Sequence, residues 1–330
     1  MSDTPWLSLL LPVHDVGPLL DDCVASILDQ GVPGIELVFV DDASRGDDAL
    51  RLAAWQVRRP DAIRVVTHER NLGVAAARNT LLDHARGDWL WFVDPDDLVE
   101  PGALATLQAV LANGAPDLVL CDFRSFRGGT TERPHVATFE GPQRVLSSDR
   151  DALLAGLFRT GQLHPWTKIV RRAAWPAALR FPAGRVFEDL AVYPRLALAM
   201  QTFVHVPEVW IAYRQREGSI LANLSEQKLD DWTQALVGYP VELRDAGVHL
   251  SDDTLFEIAH FSARTLLRAV RRWRALCTHA YAGERLQAFA ARWRASSPLS
   301  ADELARGYLR RRRLGRWAQF LWTMRVIDRN

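Results

Sequence analysis

The first third of the chain alternates short apolar runs with segments that carry apolar residues at helical spacing. The apolar runs predict buried strands at 7–13, 36–40, 63–67 and 89–93. The segments between them predict helices at 19–30, 49–57 and 74–85. Regular alternation of this kind is typical of a parallel sheet covered by helices, so the pattern predicts an α/β domain.

After residue 94 the pattern becomes less regular. It predicts a helix at 104–112, a strand at 118–123, a polar loop or hairpin at 127–143, helices at 151–158 and 188–200, and edge strands at 203–206 and 210–213. Beyond about residue 224 strand signals stop, and the predicted segments are helices at 226–243, 253–277, 283–295 and 301–327. We therefore predict two domains, 1–224 and a helical region at 225–330.

Cysteine usage and hydropathy bear on the compartment. Cys23, Cys121 and Cys277 are three thiols in apolar surroundings, without the spacing of a metal site. The N-terminus has no signal-peptide pattern, and no apolar run is long enough to cross a bilayer. These features predict a cytoplasmic protein.

Acidic residues follow two of the predicted strands. Asp41 and Asp42 come directly after one strand, and Asp94, Asp96 and Asp97 after another. In open α/β sheets ligands bind at the carboxyl ends of the strands, and carboxylates suit Mg²⁺ or Mn²⁺ bridged to a diphosphate. The alternative is that Asp94-Pro95-Asp96-Asp97 is only a turn and a helix cap.

Several motifs in this order resemble the family-2 glycosyltransferases over about residues 7–220. The matching pieces are Leu11 to Asp15 (LPVHD), Val40 to Ser44 (VDDAS), Asn71 to Asn79, Gly87-Asp88, and Phe92 to Asp97 (FVDPDD). The resemblance implies a GT-A fold, a Rossmann-like mixed sheet flanked by helices. It also implies inverting transfer of a sugar from a nucleotide-diphosphate donor, most often a UDP-sugar, to a glycan or lipid-linked acceptor.

The resemblance also implies roles for individual residues. Residues 1–125 would form the nucleotide-binding part, with Pro12 and Asp41 or Asp42 at the base, Asp96 at the ribose, and Asp97 with Asp96 at the metal. Arg78 would neutralise the nucleotide, or else form a buried pair with a sheet-end aspartate. Asp15 stands where the family usually carries Asn.

The acceptor-side part, 126–224, would supply the catalytic base. A hydroxyl that attacks a sugar must lose its proton, and Glu188-Asp189 matches a Glu-Asp element of the family, with Asp189 as base and Glu188 in support. The alternative is that both carboxylates only favour a helix N-terminus. Lys168 is a candidate for phosphate or acceptor contact, against a surface charge. Arg214 and Arg216 are candidates for the diphosphate.

The end of the chain is basic and amphipathic. Leu314, Trp317, Leu321 and Met324 form one stripe among arginines, which predicts either peripheral membrane contact through 301–330, at the inner face of the cell membrane, or packing on the catalytic domain. The 40 Lys and Arg offset 40 Asp and Glu. With balanced charge and no recognised motif, nucleic-acid binding is disfavoured.

Two other function classes compete with transfer. A sugar-phosphate nucleotidyltransferase shares the nucleotide and metal, but its Gly-rich basic loop after the first strand is missing. A non-catalytic GT-A-like binding protein would not need Asp96, Asp97 and Asp189. The sequence does not determine the donor sugar, the base, the acceptor or the oligomeric state.

Overall fold

The computed structural model describes residues 4–127, 132–215, 224–276 and 282–329. The strands form one mixed sheet in the order β3-β2-β1-β4-β8-β6-β9-β5, with β7 paired to β6. The strands are β1 (Leu7–Val13), β2 (Ile35–Asp41), β3 (Ile63–Thr67), β4 (Trp89–Phe92), β5 (Leu98–Val99), β6 (Leu118–Phe126), β7 (Glu132–Val136), β8 (Lys168–Arg171) and β9 (Phe203–Arg214).

The helices lie between these strands and continue after the last one. They are α1 (Leu19–Leu28), α2 (Asp48–Arg58), α3 (Val74–His84), α4 (Ala103–Ala112), α5 (Arg150–Thr160), α6 (Glu188–Ala199), α7 (Glu226–Gln234), α8 (Tyr239–Asp245), α9 (Asp252–Leu276), α10 (Ala282–Ser296), α11 (Ala301–Arg310) and α12 (Leu314–Asp328). The predicted α/β sheet with helices and the helical C-terminal region are both present.

The central strands appear in the sequence as apolar runs because both of their faces are buried. β1 runs parallel to β2 on one side and to β4 on the other, with Leu7 opposite both Ile35 and Trp89. Both faces of β1 are buried, so its residues form an almost unbroken apolar run. Since the three strands point the same way, their carboxyl ends meet at one edge of the sheet.

The segments 203–206 and 210–213 are strands as predicted, but they are not separate, because residues 203–214 form the single strand β9. It pairs in parallel with β6 and antiparallel with the two-residue strand β5. The pairing skips from Val206 to Val209, so the intervening Pro207 and Glu208 sit in a bulge. Proline cannot donate to a sheet ladder, and the bulge accommodates it within a continuous strand.

The predicted helix at 301–327 is also wrong, because it is two helices. Arg312 adopts a left-handed backbone with φ of 55° between α11 and α12. Arg311 on one side of the break pairs with Asp253, and Arg313 on the other side pairs with Glu257. These two ion pairs attach the break to α9. The predicted helix at 226–243 likewise divides at Gly238, whose φ is 88°.

Contacts divide the chain into two compact units. One holds residues up to 149 together with 162–217, and the other holds 150–161 with the residues after 217. The second unit is built around α9, whose buried face includes Leu266, Ala269 and Trp273. Among the helices described, none combines the length and apolarity that crossing a membrane requires.

Candidate active site at the carboxyl edge of the sheet

The acidic residues singled out from the sequence lie at the edge where β1, β2 and β4 end. Asp41 ends β2 opposite Val13 of β1, and Pro12 lies one step earlier, opposite Val40. Asp94 to Asp97 follow β4, which flanks β1 on its other side. The strand order therefore brings the two acidic clusters to opposite sides of the same strand end.

Asp42 organises the loop before α3. Its buried carboxylate accepts hydrogen bonds from His68 Nδ1 at 2.7 Å, from Leu72 N at 2.9 Å and from Gly73 N at 2.7 Å. Gly73 has φ of 87°, a conformation that glycine adopts without strain. Asp42 thus shapes the loop beside the edge. The sequence prediction placed it at the base of a nucleotide.

We expect Asp42→Ala to lower the free energy of unfolding by about 3 kcal/mol, because it leaves two loop amides and an imidazole without their charged acceptor. Urea unfolding followed by circular dichroism measures this. The matched control is Asp61→Ala, which removes an exposed carboxylate that is paired with Arg59. We expect the control to change stability by less than about 0.5 kcal/mol. Equal losses would contradict the role of Asp42.

The loops around Asp41 are held by further carboxylates. Asp41 Oδ1 accepts from Ser44 N at 3.0 Å. Asp15, at φ of 52°, accepts from Arg45 N at 2.8 Å. Asp48 was missed in the sequence, yet it is fully buried and accepts from Val16 N and Gly17 N. Its position at the start of α2 resembles an ordinary helix terminus, so its link to the β1 loop had no local signal.

Asp97 is fully buried and only half satisfied. Its Oδ1 accepts from Arg214 N at 2.8 Å, whereas its Oδ2 has no hydrogen-bond partner among the described residues. Burial, and then the charges of Asp94 and Asp96, raise the pKa of Asp97 well above its usual value. An ionised Asp97 carboxylate is unfavourable in this buried, acidic surrounding, and a bound cation would stabilise it.

The side chain of Arg214 is hydrogen-bonded to the acidic turn and to α1. Its Nε donates to Asp96 O at 2.8 Å, and its terminal nitrogen donates to Asp22 Oδ2 at 3.2 Å. The guanidinium also packs over the Phe126 ring, 4.8 Å from its centre. The diphosphate contact predicted for Arg214 stays a prediction, and Arg216 lies outside the described residues.

Arg78 joins the two halves of the site. Its buried guanidinium donates to Glu188 Oε1 and, at 3.2 Å, to Asp94 Oδ1. Burial opposes its charge, but Glu188 and Asp94 outweigh burial and raise the pKa of Arg78. The buried-pair alternative weighed from the sequence is therefore present. The same contact connects the acidic turn to the Glu-Asp element at the start of α6.

Asp189 has the environment of a proton acceptor. It is partly buried, and its Oδ1 accepts from Leu190 N at 2.8 Å. Burial, and then the neighbouring charge of Glu188, raise the pKa of Asp189 to about 7, against the smaller opposing effect of Arg78. Phe187, immediately before α6, has a left-handed backbone with φ of 60° that begins this element.

Tyr193 belongs to none of the sequence motifs. It lies one helical turn after Asp189, and its hydroxyl is buried without a hydrogen-bond partner in the part of the chain that is described. Burial raises the pKa of Tyr193, and the charges of Arg78, Asp189 and Asp94 also act on it. The spacing i, i+4 from Asp189 was the available signal.

Lys168 is not the surface charge considered from the sequence. It is 2% exposed, and its Nζ donates to Gln162 O, His164 O and Thr167 Oγ1 at 2.8 to 2.9 Å. Burial lowers the pKa of Lys168 to about 7. With three donors engaged, Lys168 holds the turn at 162–168 together, which leaves no donor for the predicted phosphate contact in this arrangement.

The described residues contain no group of three carboxylate, imidazole or thiol side chains able to enclose a metal. The donor set nevertheless fits a hard cation, because Asp97 offers an unpaired buried oxygen beside Asp96. Mg²⁺ commonly uses one or two carboxylates and takes its other ligands from water and substrate phosphates. The edge can therefore hold a cation together with a diphosphate.

Comparison with known proteins identifies the family of the chain. The family model for glycosyl transferase family 2 matches residues 8–181. Glycosyltransferase GlyA of Streptococcus pneumoniae serotype 4 is 26% identical over an alignment of 256 positions that covers 72% of this chain. The chain spans only 36% of the length of GlyA.

Two solved structures share the fold. S. aureus TarS 1–349 in complex with UDP-GlcNAc has a TM-score of 0.70 at 19% identity, over 97% of this chain and 91% of TarS 1–349. Mannosyltransferase PcManGT from Pyrobaculum calidifontis, in complex with GDP-Man and Mn²⁺, has a TM-score of 0.51 at 19% identity, over 98% of this chain and 87% of PcManGT. The GT-A fold expected from the motifs is thereby confirmed, and the chain belongs to family 2 of the glycosyltransferases.

Proposed function

We propose that the protein is an inverting glycosyltransferase that moves a sugar from a nucleoside-diphosphate donor to an acceptor hydroxyl. The observation that carries the proposal is the Arg78 bridge. Arg78 contacts Asp94 in the acidic turn and Glu188 beside Asp189, so a donor-side group and an acceptor-side carboxylate share one buried network. Transfer by direct displacement needs both halves in one site.

The donor half takes the nucleotide. We propose that Pro12 and Asp41 line the base pocket, that Asp96 contacts the ribose, and that Asp97 with Asp96 holds Mn²⁺ or Mg²⁺. Family membership and the hydrogen-bonding carboxylate at the end of β2 support a uridine donor. When bound, the cation supplies positive charge that stabilises the leaving diphosphate.

The acceptor half carries out the proton transfer. The acceptor oxygen forms a bond to the anomeric carbon from the face opposite the diphosphate, and the bond from that carbon to the phosphate oxygen breaks. The hydroxyl proton passes to Asp189, and the electron pair leaves with the nucleoside diphosphate. Attack from the opposite face inverts the anomeric configuration. Arg78 and Glu188 fix the position of the α6 N-terminus during this step.

The pH profile follows from the pKa of Asp189. Below pH 7 the carboxyl is protonated and cannot accept the hydroxyl proton, so kcat/KM should fall about tenfold per pH unit on the acid side. Glu188→Gln removes the neighbouring charge that raises this pKa, so its acid limb should move to lower pH. Initial rates from pH 5 to 9 measure both. An unmoved limb in Glu188→Gln would exclude Asp189 as the titrating base.

Incubation with a panel of nucleotide sugars and Mn²⁺ tests the function itself. Transfer chemistry predicts slow release of nucleoside diphosphate from one donor, faster when glycan acceptors are present. A nucleotidyltransferase would instead release pyrophosphate from a nucleoside triphosphate and a sugar phosphate. A binding protein would bind a donor without releasing either product, and this result would overturn the proposal.

The acceptor we propose is a hydroxyl of a glycan or of a lipid-linked saccharide, reached from the cytoplasm. Family membership supports this class.

A further inference from the structure

Three arginines on α9 form a row in the second unit, in which Arg268 and Arg271 are exposed and Arg264 is half-buried. Arg264, Arg268 and Arg271 have the spacing i, i+4, i+7 and therefore lie on one face of the helix. The opposite face is buried through Leu266 and Val270. The row points away from the core of this unit.

Arg316 extends the row from α12. The pKa of Arg264 is lowered by burial and then by the charges of Arg268 and Arg316, and that of Arg268 by burial, Arg316 and Arg271. Arg316 is therefore close enough to Arg264 and Arg268 for its charge to act on both of them. No ion pair joins any of them to a carboxylate within the described ranges, and the nearby Glu257 is paired with Arg313. Binding of an external anion would offset the repulsion among these positive charges and so lower the free energy of the cluster.

An exposed aromatic side chain lies farther along the same seam between α9 and α12. Trp322 is 54% exposed, and Arg274 of α9 packs over its ring at 5.3 Å. Leu314, at the start of α12, is 61% exposed. From Arg264 to Arg274 the seam extends about 15 Å along α9. An extended surface of this kind is better matched by a planar partner than by a single small anion.

The C-terminal part of the chain carries a net positive charge, and the rest carries a net negative charge. Residues 224–330 hold 18 Lys and Arg against 12 Asp and Glu, and residues 1–223 hold 22 against 28. The net charges are +6 and −6, which the total of zero conceals. Positive charge is thus concentrated in the unit that carries the arginine row.

We propose that the seam formed by Arg264, Arg268, Arg271 and Arg316, with Trp322 at its far end, binds the phosphate headgroups of an anionic lipid bilayer. Arginines attract the headgroups, and an exposed tryptophan is an anchor suited to the interface. The surface differs from the membrane segment considered from the sequence, because three of its four arginines come from α9. It does not depend on the proposed transferase activity.

Sedimentation of the full chain with vesicles tests this proposal. We expect binding to vesicles of phosphatidylcholine with phosphatidylglycerol and none to phosphatidylcholine alone. Arg268→Gln/Arg271→Gln should lower the partition coefficient about 25-fold, since each arginine near an anionic surface contributes about fivefold. The matched control, Arg244→Gln/Arg294→Gln, removes two exposed arginines from α8 and α10 and should stay within about twofold of wild type.

Each other outcome overturns the proposal. Equal losses in the two double variants would mean that net charge alone drives binding. Release from vesicles by millimolar inorganic phosphate would indicate a discrete anion site, and tighter binding to a single-stranded oligonucleotide would indicate nucleic acid. Absence of binding by the wild-type chain would also exclude the bilayer. Thermal unfolding of both variants checks that they remain folded.

Discussion

Asp189→Asn should lower kcat by about 10³-fold and leave donor affinity within about twofold of wild type, because general-base catalysis contributes about 10² to 10⁴ in rate. Asparagine keeps the shape of the side chain and its acceptor for Leu190 N, but it cannot take the hydroxyl proton. Initial rates with a donor and its acceptor measure kcat. Calorimetric titration with the nucleoside diphosphate measures donor affinity.

The control for Asp189→Asn is Asp83→Asn, which affects an exposed carboxylate paired with Arg180. We expect wild-type kcat from it. If Asp189→Asn kept an undiminished kcat, the acid at the start of α6 would only stabilise the helix terminus, and the base would lie elsewhere. If it lost donor affinity together with kcat, Asp189 would belong to the donor pocket.

Asp97→Asn should abolish the effect of Mn²⁺ on donor binding. In the wild-type protein we expect Mn²⁺ to tighten UDP binding by about 10²-fold or more, since a cation bound to a diphosphate contributes several kcal/mol. Asparagine retains an oxygen that can accept from Arg214 N, so the turn at 94–97 stays attached to β9. It removes the charge at the buried, unpaired Oδ2. Titrations with UDP in Mn²⁺ and in EDTA measure the difference.

Asp22→Asn serves as the control for Asp97→Asn, because Asp22 is an exposed carboxylate on the same arginine, Arg214. It should keep the full effect of Mn²⁺. A metal response in Asp97→Asn as large as that of wild type would remove Asp97 from the proposed ligand set. Weaker UDP binding in EDTA would show instead that the substitution had disturbed the nucleotide pocket.

The donor edge of the sheet could be predicted from the sequence because its signals are local. β1, β2 and β4 are buried on both faces, so each reads as an apolar run, and each acidic cluster follows its strand directly. Parallel strands then bring Asp41 and Asp97 to one edge without any further information. The Glu188-Asp189 element was likewise visible as a motif.

The remaining features depend on contacts between distant residues. The three acceptors of Lys168 are set by the path of the turn at 162–168, and lysine beside Pro-Trp-Thr resembles an exposed basic site in sequence. The joining of 203–206 and 210–213 into one strand depends on the bulge opposite β6. The break after α11 depends on carboxylates of α9. None of these partners is near in sequence.

The arginine row of α9 could be predicted from the sequence only in part. Its spacing is visible in the sequence, but its place beside Arg316 follows from how α12 packs on α9, which periodicity does not specify. Total charge was misleading here, because the opposite charges of the two parts of the chain cancel.

Anomalous scattering from a crystal grown with UDP and Mn²⁺ locates the metal relative to Asp96, Asp97 and Asp189. We expect one strong anomalous peak at the carboxyl edge of the sheet, in contact with Asp97 or Asp96, with the diphosphate bound to it and Asp189 facing the same cavity. A peak on another surface, or UDP bound at this edge with both carboxylates turned away from the metal, would contradict it.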